Sequence, residues 1–498
     1  MTVAPEPRTD ELPATDAYDP EPRTPAGEPA GSAAGAAGQP SGEPAARGKG
    51  GEPAARGKGG EPAGAAGHSD GEPAVGGRHR REPEERASYR EVFAIGEFRA
   101  LWVAQVLSYA GDQFAQVAIA ILVYHRTGSP FLTALTYALT YLPPIAGGPL
   151  LSSLADLFSR RRVMIVSDLL RVATVGFMAL PATPFAALCV LLFLTVLIGT
   201  PFSSARAALL PDVLPGDKYV LGSAIGSITF QASQIAGFVA GAGVVAVLGA
   251  HRTLAIDAMS FCLSALIIFL GTKARPSPRR EGEARRSLWA ISKDGVRIVF
   301  GNPVLRTLLL FGWLAGFVIV PEGLAAPYAH SLHGSTLTVG LLMAAMPSGA
   351  VIGAYLYGKL CRPSTRIRIM GWMAMLSCAP LIASAWNPPL SVILPMWALA
   401  GAGGAYQLAA AAAFVQALTP ETRARAFGLA QSGLYAVQGI GILAGGAVAE
   451  AIGPTLAVGL AGLTGLTAAT MLAMAWVGLR GQAIGGQATA APRPAAPG

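Results

Sequence analysis

The sequence predicts an all-α membrane protein, with twelve transmembrane helices in two pseudo-symmetric six-helix halves. Three observations carry this prediction: apolar blocks of membrane-spanning length, basic residues that alternate between successive loops, and an internal repeat. The chain has 498 residues, of which 52% are hydrophobic and only 13% charged, and its mean hydropathy is +0.46. Soluble globular proteins do not have this composition.

The apolar residues occur in blocks of roughly 20, the length that a helix needs to cross a hydrocarbon core about 30 Å thick. The first block begins near Arg99 and is too long for a cleavable signal peptide, so we expect it to remain as the first span. The predicted spans are 99–124, 131–154, 162–181, 185–203, 219–248 and 252–271 in the first half, and 303–328, 337–358, 367–386, 389–417, 425–452 and 455–478 in the second.

The segments outside the spans are two tails and a linker. The first tail is rich in Pro, Gly, Ala, Glu and Arg and contains a direct repeat of Gly42–Gly50 at 51–59. It lacks the apolar residues of a core, which predicts a disordered cytoplasmic segment. The predicted divisions are a tail at 1–88, an N-terminal half at 89–271, a basic cytoplasmic linker at 272–302, a C-terminal half at 303–480 and a disordered tail at 481–498.

Basic residues alternate strictly between the two sides of the predicted membrane. One set of loops holds nearly all the Lys and Arg, whereas the opposite loops carry only Arg126 and Arg252. Because positively charged loops remain in the cytoplasm, both termini are predicted to be cytoplasmic. The basic residues behind the net charge of +8 are thus explained by orientation in the membrane, and no basic face for nucleic acid is indicated.

The two halves resemble each other at a shift of about 205 residues, as in transporter folds built from repeats around a central site. Agreement at three separated places indicates a six-plus-six duplication. The matching pairs are Gly128-Ser129 with Gly334-Ser335, Arg162-Val163-Met164 with Arg368-Ile369-Met370, and Gln234, Gly237 and Gly241 with Gln438, Gly441 and Gly445.

The loop after the second predicted span, Gly148 to Arg162, resembles the signature G-x-L-A-D-R-x-G-R-[KR] of the major facilitator superfamily. The resemblance implies a twelve-helix transporter over roughly 90–480, and a cytoplasmic gate at Asp156, Arg160 and Arg161. Within the superfamily, three phrases are similar to bacterial drug, macrolide and siderophore (enterobactin-type) exporters of the inner membrane. They are Tyr109-Ala110-Gly111-Asp112, Asp168-Leu169-Leu170-Arg171 and Leu210-Pro211-Asp212.

Asp112 is the first candidate for a proton-coupling residue. A charge inside a span costs roughly 2.5 to 3.5 kcal/mol on insertion scales, so it requires an explanation. Asp112 shares a helical face with Gln105, Ser108 and Gln116, which we expect to line a watery cavity. A carboxylate there can load and release protons. The alternative is a structural Asp that hydrogen-bonds a neighbouring helix.

Glu322 is the second coupling candidate. It follows Pro321 in the seventh predicted span, where proline frees backbone groups that suit substrate or cation binding. The alternative places Glu322 at the outer mouth, in water. In the third span, Asp168 and Arg171 are three residues apart, which predicts a structural charge pair in preference to a substrate contact.

Further polar residues are candidates for the cavity wall. Gln231 and Gln234 share a face of the fifth span, and Gln438 lies in the eleventh. Interhelical hydrogen bonds explain these residues equally well. The segment Gly237 to Gly243 is similar to the antiporter motif G-P-x-x-G-G, with Phe238 in place of Pro.

The predicted function is secondary active efflux of an amphipathic small molecule by alternating access, driven by the proton gradient and without a cofactor. No Walker motif, metal set or nucleophile arrangement indicates an enzyme. Expected partners are the substrate and the lipid bilayer, with no nucleic acid and a monomeric state. Import of a metabolite and a non-transporting receptor or scaffold remain as alternatives.

Overall fold

The computed structural model describes residues 88–145, 147, 158–275 and 288–489, and no strand occurs among them. Helices that correspond to the predicted spans are numbered α1 to α12. Ten of the described helices are long and apolar enough to cross a membrane, which confirms the all-α membrane class. The other two are α2, described as a regular helix only over its first part, and α3, which carries five charged residues.

The first half begins with a short helix, Tyr89–Ala94, which leads into α1. Gly128 ends α1 in the left-handed region, at φ 64°, and Ser129 then caps α2 by accepting from the Leu132 N–H. The helices are α1 Gly96–Thr127, α2 Pro130–Ala138, α3 Arg160–Met178, α4 Phe185–Val213, α5 Asp217–Leu248 and α6 Ala250–Gly271.

The second half follows a linker helix, Leu288–Phe300. Helix α7 consists of four consecutive segments, Pro303–Trp313, Ala315–Val318, Val320–Gly323 and Ala325–Ser331. The remaining helices are α8 Thr336–Leu360, α9 Pro363–Cys378 with a 3₁₀ extension Ala379–Trp386, α10 in two segments Leu390–Gly403 and Tyr406–Gln416, α11 Pro420–Ile452 and α12 Pro454–Thr489.

Several predicted boundaries are corrected. Span ten was predicted as one helix, but α10 is interrupted at Gly404. In span seven, where Pro321 was expected to free backbone groups, α7 is interrupted on both sides of this proline, at Ile319 and Leu324. Helix α4 extends past the predicted end at 203, and this places Arg206 in a helix instead of a loop. The predicted second tail, 481–498, begins inside α12. Residues 1–87 of the first predicted tail, and residues 146 and 148–154 of the second predicted span, lie outside the described residues.

Small residues bring the helices of the two halves together. Helix α5 packs on α8, and α2 packs on α11. A Cβ on Gly340 would lie 2.5 Å from the Phe238 carbonyl, and one on Gly446 would lie 2.5 Å from Ala134 Cβ, so neither position has room for a side chain. We call the end of the bundle with the Arg-rich loops the basic end, and the end where Gly446 meets α2 the closed end.

Candidate functional site

A buried ion-pair cluster joins α1, α3 and α6 in the first half. The guanidinium of Arg171 donates to Asp112 Oδ1 at 2.7 Å, and its carbon lies 3.8 Å from the centre of the Phe261 ring. The side chain of Arg171 is 8% exposed, whereas that of Asp112 is 32% exposed. Asp112 is therefore the accessible member of this pair, and it has a cationic partner that spacing within α1 cannot reveal.

The charge pair predicted within α3 is a long contact. Arg171 Nη1 lies 4.0 Å from Asp168 Oδ1, so its closer partner is Asp112 on α1. Asp168 is fully buried, and its Oδ2 accepts a hydrogen bond of 2.6 Å from Ser264 on α6. The i, i+3 spacing correctly placed both residues on one face, but helix packing decided which carboxylate holds the guanidinium.

Asp257 on α6, to which sequence reasoning assigned no role, is the third carboxylate of the cluster. It is 1% exposed and interacts electrostatically with both Asp112 and Arg171. Its Oδ1 lies 3.3 Å from Ser260 Oγ, and a Cβ on Gly111 would come within 2.1 Å of it. The carboxylate thus lies directly against the α1 backbone. The sequence contained one indication of this role, which is the presence of an Asp in an otherwise apolar span.

A cavity of about 860 Å³ lies between the halves, toward the basic end. Arg206 Nη1 donates to Gln105 Oε1 at 2.7 Å on the first-half wall of this cavity. The second half contributes an apolar wall. The polar lining residues are Gln105, Tyr109, Arg206, Tyr219, Ser223, Ser227 and Gln231, and the second-half lining residues are Ala350, Val351, Ala354 and Leu408.

The predicted cavity residues divide into three groups. Gln105 and Gln231 line the cavity as expected. Ser108 is buried, at 3% exposure, and its hydroxyl has no hydrogen-bond partner among the described residues. Gln116, Gln234 and Gln438 are half-buried and are not among the described lining residues. Sequence reasoning missed Tyr109, Tyr219 and Arg206 as lining residues, the last because it was assigned to a loop.

Glu322 lies at the junction of the two halves. It is 7% exposed, and its Oε2 accepts a hydrogen bond of 2.7 Å from the Tyr137 hydroxyl on α2. Tyr137 stacks near Tyr141, which in turn faces Tyr435 on α11, with ring centres 6.0 and 6.4 Å apart. Glu322 is thus neither in the cavity described above nor in water, and it bonds one half to the other.

A second carboxylate joins the halves at the closed end. Glu450 Oε2 on α11 accepts from Ser129 Oγ at 2.8 Å and from the Phe131 N–H at 3.1 Å. A negative charge is favourable there because it faces the N-terminus of α2. The rings of Tyr124 and His330 meet nearby, with centres 5.4 Å apart. These contacts close this end of the bundle.

The predicted gate residues lie at the basic end, within the first half. Asp156 is outside the described residues. Arg160 forms an ion pair with Asp212 at the end of α4. Arg161 donates to the Phe269 carbonyl and lies 4.9 Å from the centre of its ring, on α6. Both arginines therefore fasten α3 to its neighbours, and Asp212 is a partner that sequence reasoning had noted only as part of a motif.

Residues 101–322 and 321–497 match the family model of the Major Facilitator Superfamily. The chain is 27% identical over 372 residues to the multidrug efflux pump Tap of Mycolicibacterium fortuitum, which covers 72% of this chain and 90% of that protein. It is 23% identical over 367 residues to macrolide efflux protein A of Streptococcus pyogenes, with coverage of 72% and 90%.

Solved structures with the same fold include the nucleoside transporter NupG and a bacterial homologue of the human lysosomal transporter Spinster. The NupG structure has a TM-score of 0.57 at 17% identity and covers 76% of this chain and 99% of its own. The Spinster homologue has a TM-score of 0.55 at 17% identity, with coverage of 79% and 97%. At these identities the likeness concerns the fold alone.

Proposed function

The chain belongs to the Major Facilitator Superfamily and is a multi-pass membrane transporter, and on this basis we propose that it exports amphipathic small molecules in exchange for protons. The proposed substrates are drugs, macrolides or siderophores, and the proposed location is a bacterial inner membrane. Similarity to proteins named for multidrug and macrolide efflux supports the direction of transport. The proposed oligomeric state is a monomer, and the proposed partners are the substrate and the lipid bilayer, with no cofactor.

The distribution of basic residues supports a cytoplasmic basic end and cytoplasmic termini. With that orientation the cavity lies on the cytoplasmic side, and the contacts of Glu322 and Glu450 close the outer side. The conformation is then inward-facing, the state in which an exporter accepts its substrate from the cytoplasm.

The observation that carries the proposal is the cluster around Arg171. Asp112, Asp168 and Asp257 share this one guanidinium in the described part of the chain, so the carboxylates cannot all be neutralised by it. A proton taken up by one of them lowers the cost of holding the cluster at membrane depth. Binding and release of that proton would therefore bias the two conformations of the transporter.

The cavity suits an amphipathic substrate. Its volume of about 860 Å³ is within the range of about 300–1,000 Å³ found for small-molecule sites. Arg206, Gln105 and Gln231 supply polar contacts on one wall, while the α8 and α10 residues opposite them are apolar. A molecule with one polar and one apolar face satisfies both walls.

Export requires the closed end to open. The Tyr137–Glu322 and Ser129–Glu450 hydrogen bonds connect α2 to α7 and α11, so both must break when the halves rock apart. A proton on Glu322 would weaken its acceptance of the tyrosine hydroxyl. Glu322 is therefore the second proposed coupling residue, and it acts on the outer side of the cavity.

Ethidium efflux tests this proposal in everted membrane vesicles that are energised by respiration. We expect ethidium uptake into the vesicles that a protonophore abolishes, and loss of this uptake in Asp112→Asn, because its amide can bind neither a proton nor a cation as the carboxylate does. Glu322→Gln should reduce the rate for the same reason. Import of ethidium from the opposite face, or transport that a protonophore leaves unchanged, would contradict the proposal.

The matched control is Asp294→Asn on the linker helix. Asp294 pairs with Arg425 at 3.2 Å and its side chain is 58% exposed, so the same chemical change occurs in water at a surface ion pair. Its loss should cost well under about 1 kcal/mol. Ethidium transport by this variant should match that of the unaltered protein, once corrected for the amount in the membrane.

A further inference from the structure

Asp257 is the carboxylate of the charge cluster that still lacks a role. It is 1% exposed, and it is held against the α1 backbone at Gly111, beside Asp112. An ionised carboxylate at membrane depth is costly unless a counter-charge or a proton neutralises it. Ser260, at 3.3 Å from Oδ1, provides only a neutral and distant hydroxyl.

The charged groups that face Asp257 come from two of the helices packed on α6. Helix α1 supplies Asp112, and α3 supplies Arg171. Asp168, also on α3, contacts Arg171 and Ser264. Helix α5 also packs on α6, but its described titratable residues, Asp217, Lys218 and Tyr219, lie in its first turn at the basic end. On α6 itself, His251 and Arg252 lie in the first turn at the closed end.

Arg171 is placed to change partners. Its guanidinium lies over Phe261, one helical turn from Asp257 on α6, and it currently bonds to Asp112. An aromatic face attracts a cation without fixing which of its five N–H groups are used. The guanidinium can therefore turn from Asp112 toward Asp257 while its contact with the ring is retained.

We propose that Asp257 is the proton-binding carboxylate of the cluster, which carries the driving proton while Arg171 is bonded to Asp112. The inference rests on the proposed function. In the inward-facing state the Asp257 proton leaves to the cytoplasm, Arg171 moves to neutralise Asp257, and the freed Asp112 carboxylate binds a cationic substrate. After the substrate leaves on the outer side, a proton from outside binds Asp257 and Arg171 returns to Asp112. One proton thus enters for each substrate exported.

The test measures ethidium binding to the purified protein in detergent by fluorescence, as a function of pH. In the unaltered protein, ethidium affinity should rise up to about tenfold per pH unit, because one proton is displaced on binding. In Asp257→Asn, the affinity should be nearly independent of pH, and the proton release that a dye detects on ethidium addition should be lost.

Asp257→Asn is nearly isosteric with the protonated, neutral acid, so its thermal midpoint should be equal or higher. If it fails to fold, the same measurement is made on Asp257→Ser, whose ethidium affinity should also be nearly independent of pH. Ser260→Ala is the matched control, because it removes the hydroxyl but keeps the carboxylate, and its binding should remain pH-dependent.

The two levels of the proposal fail in different ways. An Asp257→Asn protein that retains the pH dependence of the unaltered protein overturns the assignment of the proton to Asp257. Ethidium binding that is independent of pH in the unaltered protein overturns proton coupling itself, and the proposed antiport with it.

Discussion

Charge holds α1, α3 and α6 together in the first half, whereas close packing holds the corresponding α7, α9 and α12 together in the second. By the internal repeat, Asp168, Arg171 and Asp257 correspond to Ala374, Ser377 and Ala461. Ala374 and Ser377 are fully buried, like their charged counterparts. The two halves therefore share a helix arrangement but have different chemistry at the same place in it.

In the second half, close contacts at glycines take the place of the charge cluster. A Cβ on Gly462 would lie 2.9 Å from the Ile382 N and 3.0 Å from the Cys378 carbonyl, so α12 lies directly on the α9 backbone. A Cβ on Gly465 would be 2.9 Å from Phe317 Cβ on α7. Small residues at such contacts stabilise helix pairs in membranes without polar groups. In the proposed cycle, one repeat thus carries the exchangeable charge while the other supplies a rigid, neutral partner.

Removal of Arg171 from the charged half should have the strongest effect on stability and efflux. Arg171→Ala removes the guanidinium and leaves the carboxylates of Asp112, Asp168 and Asp257 without it, which should destabilise the protein by about 3–5 kcal/mol and abolish efflux. Thermal unfolding in detergent and ethidium efflux measure the two consequences. Ser377→Ala, at the equivalent position, should cost about 1 kcal/mol, since the Ser377 hydroxyl donates to the Ala374 carbonyl and otherwise has only a 3.6 Å contact with Cys378 Sγ. Equal thermal midpoints for the two variants would contradict the comparison.

An intermediate effect is expected from the packed half. Gly462→Ala forces its methyl group onto α9 backbone atoms, and overpacking of this kind costs about 1–3 kcal/mol. Efflux per folded molecule should be retained, because no exchangeable charge is altered. Gly478→Ala is the control on the same helix, where a Cβ meets nothing within 4 Å, and its thermal midpoint should be unchanged or slightly higher. A loss of pH-dependent binding in Gly462→Ala would place coupling in this half as well.

The smallest effect concerns the contact between the halves. Glu450→Gln keeps the shape but removes the charge that faces the N-terminus of α2, a change of about 0.3–1 kcal/mol. This should favour opening of the closed end by a few-fold. A cysteine at Ala134, which is buried against Gly446, reports opening through its reaction rate with a membrane-impermeant maleimide. Glu421→Gln, at the other end of α11, should leave that rate unchanged, and a matching increase there would remove Glu450 from the closed-end contact.

The class of protein and most helix positions follow from patterns in the sequence, and the family follows from the resemblance of its loop motif. Hydropathy, loop charge and repeat spacing are local or additive properties, so they can be read without knowing which helices touch. They also identified Asp112 and Glu322 as residues that need an explanation, because an intramembrane carboxylate is costly wherever it lies.

The partners of these charged residues depend on how the helices pack. Arg171 bonds to Asp112, 59 positions away, in preference to Asp168 on its own helix, and Glu322 bonds to Tyr137 across the two halves. Arg206 enters the cavity because α4 continues beyond the predicted boundary, and Asp257 joins the cluster because Gly111 lets α6 approach α1. Such contacts depend on the rotation and separation of packed helices, which the spacing of residues within one helix does not contain.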